Sequence, residues 1–86
     1  MRYMKTQKTT DTRFRFEELD RLRAERGWTF AELCRRLTID QGQKTTSAHI
    51  ASWRNGTIPR LPAITALANL FDVSIDTFVD RGTGNA

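Results

Sequence analysis

One stretch of the chain, residues 44–60, concentrates the side chains that could do chemistry. It contains Lys44, Arg54 and Arg60 and no acidic residue. Between these bases lie short polar side chains and His49, the one histidine of the sequence. Bases spaced along a segment can pair with regularly spaced phosphates, and short polar side chains can reach base edges in a DNA groove. The composition of this stretch therefore indicates binding to a polyanion.

The charge distribution along the chain favours the same chemistry. Fourteen Lys and Arg residues against ten Asp and Glu residues give a net charge of +4, and eleven of the bases are Arg. Residues 1–60 have a net charge of +6, whereas residues 61–86 have a net charge of −2. Because Arg binds phosphate bidentately, we expect one basic face against a polyanion and an opposite face turned away from it.

Catalytic and metal chemistry find little support in the sequence. Cys34 and His49 are the only residues of their types, which is too few for a structural zinc site. No nucleophile has a suitably spaced base, and there is no glycine-rich phosphate loop. We therefore predict no catalytic residue, no metal and no cofactor. Cys34 is expected to fill the core as a small apolar group rather than to sense redox conditions.

Length and composition predict one small, soluble, all-α domain. The 86 residues are 38% hydrophobic and 28% charged, and no apolar run is long enough for a membrane span or a signal peptide. No stretch alternates as a strand would. We expect a helical domain over residues 13–80, a flexible basic arm over residues 1–12 and a disordered tail over residues 81–86. The protein is expected to be cytoplasmic and nucleoid-associated.

The spacing of apolar residues predicts five short helices. They cover residues 13–26, 30–38, 47–55 and 61–71, and a last short segment that follows Ser74. Thr29 and Glu32 form a capping-box pattern, which predicts Thr29 as the N-cap of the second helix. In the third helix, Ile50 and Trp53 lie three positions apart and are expected to face the core, which turns the residues on the opposite side towards solvent. A polar loop over residues 38–46 precedes this helix.

The order of several motifs resembles one known family. The chain contains Leu22-Arg23-x-x-Arg26-Gly27-Trp28-Thr29, Glu32-Leu33-Cys34-x-x-Leu37, Ile50-x-x-Trp53-Arg54-Asn55-Gly56, Pro59-Arg60-Leu61 and Leu67-Ala68-x-Leu70-Phe71-Asp72-Val73-Ser74-Ile75-Asp76-x-Phe78. In this order and spacing they resemble the lambda-repressor-like (Cro/C1-type, XRE) helix-turn-helix family over residues 16–79. The resemblance implies a compact five-helix DNA-binding domain whose third helix enters the major groove of double-stranded DNA.

The resemblance also implies which side chains meet DNA and which meet a second protomer. The base-reading positions correspond to Thr46, Ser47, Ala48, His49 and Ser52. The residues expected at phosphates are Lys44, Arg54, Asn55 and Arg60, the first two on charge and the last two by the family pattern. Related repressors pair through their C-terminal end, so a weak homodimer on DNA is expected to use Ile75, Phe78 and Val79.

Departures from the family pattern are as informative as the matches. The segment that joins the second and third helices is longer than usual, which predicts a looser reading unit. Phe30 stands where a phosphate-binding Gln is common, and Arg54 stands where a buried Glu often pairs with the residue matching Arg23. Because two buried guanidinium groups without a counterion are prohibitive, we expect Arg54 to point outward. Asp72, where a helix-ending Gly is frequent, is expected in a left-handed conformation.

Two functions from different classes follow from these observations. The first is sequence-specific binding of double-stranded DNA by a small repressor-type transcriptional regulator. The alternative is a protein-interaction module, such as an antitoxin or anti-regulator, in which the same fold binds a partner protein. The longer segment and the missing Gln and Glu leave room for this alternative.

Overall fold

The computed structural model describes residues 12–80 of the chain. In chain order they form β1 (Arg13–Phe14), α1 (Phe16–Glu25), α2 (Phe30–Asp40), α3 (Ser47–Arg54), α4 (Leu61–Phe71), a single 3₁₀ turn (Ile75–Thr77) and β2 (Val79–Asp80). The predicted tail, and the predicted arm apart from Thr12, lie outside these residues. No helix in this range is long and apolar enough to cross a bilayer.

The architecture is compact and mostly helical, with 62% of the described residues in helices. The prediction of five helices is wrong, and a small sheet means that the domain is not clearly all-α. Four α-helices are present in the described range, together with a small antiparallel sheet in which Arg13 pairs with Asp80 and Phe14 with Val79. The predicted fifth helix is only the 3₁₀ turn Ile75–Thr77. Strands of two residues are too short to show an alternating pattern, so no periodicity in the sequence predicts them.

The sheet closes the two ends of the described chain on each other. Phe14 and Phe78 are both buried, and their ring centroids lie 6.1 Å apart. The backbone N–H of Arg15 donates to the carbonyl of Phe78 at 2.7 Å. Because Phe14 is used in this pairing, α1 begins at Phe16 rather than at residue 13.

Local chemistry accounts for the boundaries of the other helices. The α2 helix begins after Thr29, whose hydroxyl accepts from the N–H of Glu32 at 3.0 Å, so the predicted N-cap is confirmed. It continues to Asp40, two residues beyond the predicted end. The α4 helix ends at Asp72, which has φ 57° and ψ 49° and so takes the predicted left-handed conformation.

The core lies between α2 and the two helices that pack on it, α3 and α4. Its fully buried members include Leu19 of α1, Leu33 and Leu37 of α2, and Leu67 of α4. The α3 helix contributes Ile50 and Trp53, which are 3% and 6% exposed. Burial of these two side chains fixes the rotation of α3 about its own axis, and this rotation determines which of its residues face solvent.

Candidate nucleic-acid interface

The segment that leads into α3 is anchored to α2. The backbone N–H of Thr45 donates to the hydroxyl of Thr38 at 3.1 Å, and the N–H of Gln43 donates to the carbonyl of Leu37 at 2.9 Å. Thr45 is buried, and its hydroxyl donates to the carbonyl of Gln43 at 2.9 Å. The sequence predicted a loose connection at this point. The hydrogen bonds instead tie it to the end of α2, which holds the start of α3 in place.

The outward side of α3 carries small side chains. All five predicted base-reading residues are exposed: Thr46, Ser47, Ala48, His49 and Ser52. Ala51, which the sequence analysis did not select, is exposed on the same side, three positions after Ala48 and four after Ser47. The helical period alone was sufficient to find it. Small side chains here leave the backbone of α3 accessible to close approach by a large ligand.

His49 is exposed but held in a fixed position. Its Nδ1 accepts a hydrogen bond from the backbone N–H of Thr46 at 3.0 Å, at the N-terminus of α3. Its ring is stacked on the ring of Trp53, one helical turn later, with centroids 6.2 Å apart and an interplanar angle of 21°. The imidazole is therefore restrained on one edge and on one face.

A surface depression of about 240 Å³ lies beside His49, and we call it the α3 groove. Its lining includes Lys44 from the preceding loop, His49 and Ser52 from α3, and Arg60 from the following loop. Trp53, Ile58 and Pro59 contribute apolar surface to it. The groove brings together two predicted base-reading residues, His49 and Ser52, and two predicted phosphate-binding residues, Lys44 and Arg60.

The positive charges at the groove are not neutralised by neighbouring carboxylates. Of the ten bases among residues 12–80, five form ion pairs with Asp or Glu, all of them on β1, α1 or α2. Those without such a pair in the described range are Arg15, Arg26, Lys44, Arg54 and Arg60. Two of these five line the α3 groove, and its described lining contains no acidic residue. The groove thus presents uncompensated positive charge.

Arg54 lies against aromatic rings rather than in the groove. It is exposed, as expected from the lack of a buried counterion. Its guanidinium lies 5.3 Å from the ring centroid of Phe16 and 5.1 Å from that of Phe30, and these two rings are themselves stacked at 6.0 Å. The guanidinium of Arg23 lies 4.3 Å from the centroid of Phe30. Arg54 is therefore separated from the phosphate-binding candidates that line the groove.

Asn55 ends α3 and begins the turn towards the groove. It is exposed, and its backbone N–H donates to the carbonyls of Ala51 and Ser52 at 3.1 Å. The next residue, Gly56, has φ 108°, a conformation that side chains rarely allow. The N–H of Thr57 then returns to the carbonyl of Ser52 at 3.0 Å. This turn directs the chain past the groove to Arg60.

The residues expected at a dimer contact differ in their exposure to solvent. Phe78 has no exposed surface and belongs to the core of its own protomer, so the expectation that it contacts a second chain is not supported. Ile75 and Val79 are partly buried and pack against the same core. The apolar character of this end, which suggested a dimer, is largely explained by packing within one chain.

The remaining reactive groups offer no second centre. Cys34 is half-buried and packs against the core, where burial raises the pKa of its thiol. Within residues 12–80, no three side chains of His, Cys, Asp or Glu are grouped so that they could hold a metal ion. Exposed large apolar side chains in this range are Ile39, Ile58 and Leu61.

No protein-family model, no curated protein and no solved structure matches the chain.

Proposed function

We propose that the chain is a lambda-repressor-like helix-turn-helix domain that binds double-stranded DNA and acts as a small repressor-type transcriptional regulator. The observation that carries the proposal is the α3 groove. Lys44 and Arg60 line it without carboxylate partners in the described range, and His49 and Ser52 contribute to the same lining. Cations that flank short polar groups form the arrangement that a phosphate backbone and base edges require.

The dimensions of α3 suit the major groove. A helix such as α3 is about 10–12 Å in diameter with its side chains, and the major groove of B-DNA is about 12 Å wide and admits a helix. Ile50 and Trp53 are buried, so the small residues on the opposite side of α3 would face the major groove of the DNA. In the proposal, Thr46, Ser47, Ala48, His49 and Ser52 face base edges.

Phosphate contacts would flank this reading surface. Lys44 from the loop before α3 and Arg60 from the loop after it both line the α3 groove, so the two bases can meet phosphates beside the inserted helix. Asn55 ends the helix and can donate from its side-chain amide. Arg54 contributes from the far side of α3, where its guanidinium stays exposed above the rings of Phe16 and Phe30.

A weak two-fold dimer on DNA remains part of the proposal, with half-sites about one helical turn apart. Because Phe78 is buried, such a dimer would use only the exposed parts of Ile75 and Val79. The small apolar area that remains favours pairing on DNA, where both protomers are already held, over pairing in free solution.

The alternative, a protein-interaction module, is favoured by one observation. Ile58 is 41% exposed and lines the α3 groove, and Leu61 just beyond it is 64% exposed. A partner protein that covers these side chains would also cover the groove. DNA binding and this alternative therefore make opposite predictions for a duplex-selection experiment.

Selection from random duplexes tests the proposed function directly. The purified chain should enrich a defined sequence, and light scattering of its complex with that duplex should give two chains per site. The variant Lys44→Glu/Arg60→Glu should lose the enrichment. The control Arg21→Glu/Arg35→Glu makes the same change in net charge at two exposed, ion-paired positions. This control should retain more of the sequence enrichment. If the unaltered chain enriches no duplex, the protein-interaction alternative takes precedence.

A further inference from the structure

The hydrogen bond at the start of α3 determines where His49 carries its proton. The backbone N–H of Thr46 can only donate, so Nδ1 of His49, 3.0 Å away, must present its lone pair. The hydroxyl of Thr46 lies 3.3 Å from the same nitrogen and can itself donate to that lone pair, so the two contacts are compatible. A neutral imidazole has one N–H and one bare nitrogen. The proton of the neutral ring is therefore on Nε2.

The same contacts fix the direction of that N–H. The imidazole is held at Nδ1 by Thr46 and across one face by Trp53, so it loses little further freedom when it binds a ligand. The ring is exposed and lines the α3 groove, with the positive charges of Lys44 and Arg60 on the same lining. His49 thus offers this surface a single, pre-oriented hydrogen-bond donor.

A fixed donor discriminates among base edges in the major groove. Guanine presents two adjacent acceptors, N7 and O6, whereas thymine presents a single acceptor, O4, beside its methyl group, adenine places an amino donor next to its N7, and cytosine presents an amino donor. An N–H that meets an amino group leaves two donors facing each other, and a desolvated donor without a partner is costly. A ring that could change tautomer would tolerate both kinds of edge.

We propose that His49 is a specificity-determining residue that donates from Nε2 to a guanine in the major groove, in the tautomer that Thr46 imposes. This role rests on the proposed DNA-binding function. The hydrogen bond to Nδ1 also explains why a histidine can occupy the third position of α3, where Glu or Gln commonly accepts from the N-cap N–H. Nδ1 accepts from the N–H of Thr46, and Nε2 remains available to donate to the ligand.

The tautomer can be measured without DNA. His49 is the only histidine of the chain, so the long-range ¹H–¹⁵N spectrum of the labelled protein contains one imidazole. At about pH 8, above the range in which a free imidazole titrates, we expect a protonated Nε2 and a bare Nδ1. A mixture of tautomers, or a proton on Nδ1, would overturn the inference.

Substitutions separate the capping role from the reading role. His49→Gln retains an acceptor for Thr46 and a donor for the base, whereas His49→Glu retains the acceptor only. Both variants should keep the fold, as judged by circular dichroism and thermal unfolding. His49→Gln should keep the selected sequence, and His49→Glu should lose it. Loss in both variants, or retention in both, would show that the donor at this position does not read a base.

Replacement of single guanines by 7-deazaguanine in the selected duplex identifies the acceptor. At one position the unaltered protein and the control Ile39→Ala, at an exposed side chain of α2 outside the α3 groove, should bind about tenfold more weakly, which corresponds to one directional base contact. His49→Ala should be insensitive there. If 7-deazaguanine at that position weakened binding of His49→Ala to the same extent, His49 would not be the donor to this guanine, although the protein would still bind DNA. Failure to select any duplex would remove the proposed function and the reading role together, whereas the tautomer would be unaffected.

Discussion

The guanidinium of Arg54 lies 5.1 Å from the centroid of the Phe30 ring. In the family that the sequence resembles, these two positions commonly hold Glu and Gln, so this chain departs from the pattern at both. The two side chains are complementary, because the ring gives the cation a favourable surface and the cation covers the ring. Such a contact contributes roughly 0.5–1 kcal/mol at exposed sites.

A double-mutant cycle between Phe30→Leu and Arg54→Ala should show this coupling. We expect an interaction energy of about 0.5–1 kcal/mol in urea unfolding, because each substitution removes the same cation–π contact. The matched cycle pairs Phe30→Leu with Arg60→Ala, since no contact between those two side chains is present. Additive losses for Arg54 and Phe30 would show that the contact between them contributes no coupling energy.

Replacement of Arg60 by Ala should reduce the salt dependence of DNA binding. If Arg60 meets a phosphate, the slope of log affinity against log salt should become shallower by about one, to the same extent on selected and scrambled duplexes. Arg21→Ala is the matched control, because Arg21 is exposed but pairs with Glu18 and Glu25. An unchanged slope for Arg60→Ala would place this residue outside the DNA footprint.

Truncation of Phe14 should destabilise the whole domain. Phe14 is buried and contacts Trp53 and Phe78 with centroid distances of 6.0 and 6.1 Å, and Phe→Ala at such sites costs about 3–5 kcal/mol. Tryptophan fluorescence during urea unfolding provides the measurement. Ile39→Ala, at a side chain that is 66% exposed, should change stability by less than about 0.5 kcal/mol. Similar effects of both substitutions would show that β1 adds little to the core.

The stability contributed by Glu32 should depend on pH. Hydrogen bonds from Arg35 and then Arg36 hold the pKa of this carboxyl below its ordinary value. A carboxyl whose pKa is lower in the folded state stabilises the fold above the unfolded-state pKa of about 4.3, and loses that effect as the pH falls through the folded-state pKa.

Glu32→Gln should therefore be less stable than the unaltered chain at neutral pH, and the difference should vanish in acid. Thermal unfolding over a pH series measures both. The gap at neutral pH should also narrow at high salt, since the ion pairs are solvent-accessible. A gap that is constant across the pH series would assign the effect to packing rather than to charge.

Local signals in the sequence were sufficient for the helices that carry the candidate site. Thr29 as an N-cap, Asp72 as a left-handed helix end, and the spacing of Ile50 and Trp53 each depend on a few neighbouring residues, and each is confirmed. Once Ile50 and Trp53 were placed in the core, exposure of the small residues of α3 followed.

The features that could not be predicted depend on residues far apart in the chain or on unusual partners. Phe14 and Phe78 meet although 63 residues separate them, and neither has a local pattern that names the other. The three residues Ile75–Thr77 are too few for a period to distinguish a 3₁₀ turn from a longer helix. The bond from Thr46 to His49 was missed because capping signals are sought with Glu or Gln at that position.

The pairing of Arg13 with Asp80 gives the described fold the connectivity of a near-closed ring. Antiparallel partners have Cα atoms about 5 Å apart, so a short peptide from Asp80 to Arg13 could join them without disturbing a helix. New ends could then be opened at the exposed turn around Gly27, which is the kind of site where circular permutation is tolerated. In such a permuted chain, α1 would become the last helix to be synthesised, while α3 and both loops of its groove would keep their order.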